Sequence, residues 1–250
     1  MNATITETAT LNRAVANRAR DRRMAIAVAV VFPLIVLIGF ARSYYLKGIF
    51  GFPPLPNRLV HVHGLIMTAW VLLFVVQVGL VATHRTRLHM KLGVMGSILA
   101  LLVFFVGMLT GIDGAIRGTS VAGIPPLSFL IIPIGDMVIF AIVVGVALYY
   151  RRQPAIHKRL MLLSAFNFLP AAVARIPLGF IQSGGPLAFY GIPDLFIIAF
   201  VAYDTVKNRR LHPAALWGGL LIIASHPLRI MFAGTNAWLS IANVLVSLVK

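Results

Sequence analysis

Residues 57–83, NRLVHVHGLIMTAWVLLFVVQVGLVAT, carry one formal charge, Arg58, ahead of a run that is nearly all hydrocarbon. A helix needs about 20 such residues, at about 1.5 Å of rise each, to cross the roughly 30 Å apolar core of a bilayer. This stretch is long enough, so its reading sets the fold class: a membrane-spanning helix that starts with two histidines. At 100° per residue His63, Met67, Trp70 and Gln77 fall on one stripe, whereas His61 points elsewhere. The pair cannot ligate one centre from a regular helix. His63 is the deeper of the two, and Gly64 beside it leaves room for a bulky group.

The whole chain follows that pattern. Of its 250 residues 60% are hydrophobic and 11% charged, too little polar surface to coat a soluble globule. Twenty-two Lys and Arg against six Asp and Glu give a formal charge of +16, but the basic residues sit at the ends of apolar runs. They read as topology signals and contacts to anionic lipid head groups rather than as a nucleic-acid surface. With no cysteine, disulfides, iron–sulfur clusters and thiolate metal sites are excluded.

The sequence predicts an all-α integral membrane bundle. Residues 1–23 form a basic leader and 24–250 a single transmembrane domain. Spans are expected at about 24–42, 59–83, 91–112, 127–150, 159–182, 188–206 and 213–233, with 237–249 a short candidate for an eighth. The leader, THRTRLHMK, YYRRQPAIHKR and VKNRRLH are all basic and fall on one side when spans are counted, which makes that side cytoplasmic and the N-terminus inside. RLHMKLG, AIHKRLM and RLHPAAL open the third, fifth and seventh spans. Each places a histidine (His89, His157, His212) at a helix start, which suggests three related hairpins after a first helix.

Two groups of residues could carry chemistry. Counting rise per residue puts Asp136 roughly 13 Å below the outer surface and Arg175 and His226 roughly 10 Å below it, with Asp194, Arg229 and His63 shallower. Asn167 shares a face with Arg175. Charges in hydrocarbon cost on the order of 3 kcal/mol each, so these groups should face one another or a wet cavity. Structural ion pairs would satisfy that demand. So would a divalent metal such as zinc on His63, Asp136, Asp194 and His226, a haem between His63 and His226, or a proton- or anion-handling cavity. The second group is at the basic end: His89 and His157 start helices two apart, the placement that bis-His ligation of haem b requires, with Lys91, Lys158 and Arg159 near for its propionates.

LHMKLG and IHKRLML resemble helix starts in small bacterial multi-pass membrane families, and resemble the transmembrane cytochrome b family that moves electrons from ascorbate across membranes. In that cytochrome family four successive helices each give one histidine, and helices two apart pair on a haem at each side. His89 and His157 match one such pair. His63 matches a member of the other, but Asp136 stands where its partner histidine would be. The resemblance touches two short motifs and implies one haem in a bacterial cytoplasmic membrane. The functions expected are therefore haem-linked electron transfer with an unnamed redox partner or quinone, a transporter or assembly factor using the outer Asp/Arg/His layer, or a membrane metallohydrolase.

Overall fold

The computed structural model describes residues 2–120 and 123–249, with side chains from residue 19 onward. Its elements in chain order are α1 Asn2–Phe40, a π-helical turn Ala41–Tyr45, α2 Arg58–Ala82, α3 Thr86–Ile116, α4 Pro126–Phe129, α5 Ile131–Tyr149, α6 Pro154–Phe166, α7 Leu169–Val173, α8 Gly179–Asn208, α9 Pro213–Phe232 and α10 Asn236–Ser247. No strand occurs among the described residues. Among the described residues six stretches are long and apolar enough to cross a bilayer: Ala19–Tyr45, Arg58–Ala82, Thr86–Ile116, Pro126–Tyr149, Gly179–Asn208 and Pro213–Phe232. The chain is a multi-pass membrane protein with six candidate spans.

Two expected boundaries change. The leader and first span are one helix, α1, with no break at residue 23; the side chains of residues 1–18 lie outside those described. The expected fifth span, 159–182, is not a continuous helix. Pro170 has no N–H to offer the carbonyl of Phe166, so the helix opens at Asn167–Phe168 and ends by Val173, and residues 179–182 already belong to α8.

The broken segment still joins the two ends of the bundle. At its start Lys158 donates to Asp21 of α1 at 2.6 Å, and Arg159 to Asp204 near the end of α8. At its other end α7 packs on α1, and Arg175 lies 4.7 Å over the ring of Phe40. The helix α10, with 12 residues, is about 18 Å long and too short to cross. Trp238 pins it by donating Nε1–H to Leu127 O at 2.8 Å.

Most of the large outward residues, such as Leu72, Val94, Met95, Leu101 and Leu195, are exposed hydrocarbon, as a lipid-facing wall requires. Inside, Phe32 meets Phe74, Trp70 meets Phe140 and Phe140 meets Phe168 with ring centres 5.6, 5.1 and 4.9 Å apart. The most buried of the spans is the one containing α5, which packs on α3, α6 and α9. It therefore separates the two polar groups foreseen in the sequence, touching one with each end.

Candidate functional site

At the basic end α3 and α6 each bring a first-turn histidine to the last turn of α5. The His89 and His157 rings lie side by side with centres 6.3 Å apart and planes at 74°, close to perpendicular. His157 Nδ1 lies 2.8 Å from Ala147 O, and since a carbonyl only accepts, the proton is on Nδ1 and Nε2 keeps its lone pair. His89 is held by Gln77 of α2. With its nitrogen 2.7 Å from His89 Nδ1 and 3.3 Å from His89 O, the Gln77 amide also accepts from the Gly93 N–H at 3.1 Å. Of the three expected propionate partners, Arg159 makes a bidentate pair with Asp204 at 2.7 and 2.9 Å and Lys158 is engaged by Asp21; Lys91 is exposed.

At the opposite end the foreseen layer divides. Arg229 of α9 pairs with Asp136 of α5, and also donates to Ile132 O at 3.2 Å, Ser225 O at 3.1 Å and Ser225 Oγ at 2.7 Å. Gly135 makes this possible, because a Cβ there would stand 2.3 Å from Arg229 Cδ. Asn167, at the α6–α7 break, donates to Asp136 O at 3.0 Å. One turn away, His226 Nδ1 meets Asp194 Oδ1 of α8 at 2.9 Å, and its ring stacks on Tyr190 with centres 4.3 Å apart. Two atoms of this cluster, His226 Nε2 and Asn167 Oδ1, are buried with no hydrogen-bond partner among the described residues.

His63 and Arg175 belong to another wall. His63 is on α2, whose main neighbours are α1 and α3, and its buried Nδ1 has no partner among the described residues. Arg175 donates to Ala171 O at 2.6 Å and stacks on Phe40. The bulky group admitted by Gly64 is the chain's own Tyr44: a Cβ on Gly64 would come within 2.3 Å of that ring. The metal set His63, Asp136, Asp194 and His226 is therefore not assembled, nor is a His63–His226 pair on packed neighbouring helices. Among the described residues no three His, Asp or Glu come close enough to share a metal ion.

No family model, curated protein or solved structure matches the chain. What each site can do follows from its geometry. Two imidazoles on opposite sides of one metal ion, with N–metal bonds of about 2.0–2.1 Å, hold their ring centres about 6 Å apart. The spacing of His89 and His157 is of that size, and a backbone carbonyl on the remote nitrogen, as at His157, is the usual support of a ligating histidine. His89 has the same support if the Gln77 amide turns its oxygen to Nδ1–H; in the orientation that also satisfies Gly93, the His89 proton is on Nε2.

Residues that the sequence reading missed are the partners. Tyr190 lies four residues before Asp194 on one face of α8, as Ser225 lies four before Arg229 on α9. That spacing was a usable signal. For Gly135, and for Asp204 as the mate of Arg159, the sequence holds no comparable one.

Proposed function

We propose that the chain holds one b-type haem between His89 and His157 and passes electrons within the membrane. The observation that carries the reading is the approach of these imidazoles from α3 and α6, with centres 6.3 Å apart and His157 Nδ1–H anchored on Ala147 O. Haem would supply one-electron chemistry at iron; the chain's residues bind and orient. Ala147 fixes the ring and tautomer of His157; Gln77 holds the His89 ring, and its amide must turn its oxygen to Nδ1–H for His89 Nε2 to be free for iron. His89 and His157 are both half-buried, so the site is shielded without being sealed.

The test is the absorption spectrum of the protein purified from haem-replete cells, before and after dithionite. A Soret band that shifts on reduction supports the reading, and its absence sinks it. Gln77 gives a finer expectation. In Gln77→Glu a carboxylate replaces the amide beside His89 Nδ1; with His89 bound to iron through Nε2 it would accept a hydrogen bond from Nδ1–H and favour the oxidised state, so the midpoint potential is expected to fall in a redox titration. A potential equal to or above that of the wild type would separate Gln77 from the site.

A second reading, passage of protons or a small solute, is favoured by the buried cluster on the other side of α5. Ionisable groups inside a membrane bundle are costly, and two unpartnered acceptors among them, His226 Nε2 and Asn167 Oδ1, mark places where a water or solute could bind. This reading expects proton flux in proteoliposomes that Asp194→Asn abolishes. Unchanged flux in that variant, or none in the wild type, counts against it.

A further inference from the structure

We propose that the basic end of the bundle carries a binding site for a phosphate group, presented by an anionic phospholipid headgroup or as free phosphate, in the cavity between the starts of α6 and α9 and the end of α8. The cavity measures about 340 Å³ and is lined by Lys158, Arg159, Asn208, Arg210 and His212 together with the helix-start residues Ala155 and Pro213. That volume is within the ordinary range of small-ligand pockets, roughly 300–1,000 Å³.

Its charge is not internally balanced. Arg159 spends its fork on Asp204 and its remaining nitrogen on Ala155 O at 2.6 Å. Lys158 gives one of its three N–H groups to Asp21, a carboxylate it shares with Lys207. Arg210 has no carboxylate partner among the described residues, and its planar fork matches two phosphate oxygens. The cavity and its rim thus hold four cations, Lys158, Arg159, Lys207 and Arg210, against two carboxylates, Asp21 and Asp204.

His212 adds a neutral donor. Its Nδ1 accepts from Ala214 N at 3.2 Å, capping α9, which places the proton on Nε2. Burial first, then the charge of Arg159, holds its pKa below the usual imidazole range, so at neutral pH it donates without adding to the local repulsion. Two helices, α6 and α9, begin at this cavity, and their free N–H groups and dipoles favour an anion. Four and seven residues after Pro213, the exposed Trp217 and Leu220 continue its face of α9 and offer a track for acyl chains.

The experiment is thermal unfolding of the full chain in phosphatidylcholine nanodiscs, with phosphatidylglycerol added to the bilayer in one arm and sodium phosphate, against chloride at equal ionic strength, in the other. Wild type is compared with Arg210→Gln and with Arg87→Gln, an exposed arginine outside the cavity. One or both additions should raise the unfolding midpoint of wild type and Arg87→Gln, and the rise should fall by about half or more in Arg210→Gln. A response to phosphatidylglycerol alone identifies a lipid headgroup, and a response to phosphate identifies the soluble anion. No rise with either addition, or the same rise in Arg210→Gln as in wild type, overturns the site.

Discussion

Asp204→Ala is expected to destabilise the protein by about 3–5 kcal/mol, measured by chemical unfolding in detergent micelles. Asp204 is fully buried and Arg159 nearly so, and the two share a bidentate hydrogen-bonded contact. Removing the carboxylate leaves a nearly buried guanidinium beside other cations, with Ala155 O as its one remaining hydrogen-bond partner among the described residues. The attraction within the pair does little more than repay the desolvation of both charges, so most of the loss is the cost of stranding one of them. Arg117→Ala provides the scale. It removes an exposed pair one helical turn long, with Asp113, and should cost no more than about 0.5 kcal/mol. Equal effects of the two substitutions would mean that Arg159 reaches water once its partner is gone.

The second large effect concerns the imidazole pair. His157→Ala or His89→Ala is expected to cut haem retained through purification by an order of magnitude or more, since loss of a direct ligand should exceed the 10–100-fold typical of lost outer-shell partners. His226→Ala and His63→Ala should retain wild-type haem, because His226 is committed to Asp194 and Tyr190 and His63 is on the α1–α3 side of the bundle. Haem lost in His63→Ala or His226→Ala but kept in His157→Ala would move the site to the other end.

The spans were legible because hydropathy is a property of the chain taken one residue at a time. Rise per residue also gives depth, so the meeting of Asp136 with Arg229 and of Asp194 with His226 could be anticipated. Azimuth around the bundle cannot be counted in that way. His63 and Arg175 were assigned to the same layer as those four residues, and the structure places them against other neighbours. Hydropathy does not show the break at Asn167–Phe168 either. An apolar window runs straight across Pro170, and whether a proline bends a helix or opens it depends on what can satisfy the freed carbonyl. His89 and His157 were readable as partners because equivalent positions in successive helix starts fall at one end of the bundle. Gln77 and Ala147, which orient their rings, come from neighbouring helices and belong to packing rather than to pattern.

The most direct measurement is haem iron per chain in the purified protein, taken on wild type and His157→Ala side by side. The account predicts about one haem per wild-type chain, as two facing imidazoles require for a single six-coordinate iron, and little in the variant. A colourless wild-type protein, or haem bound equally by both, would contradict it.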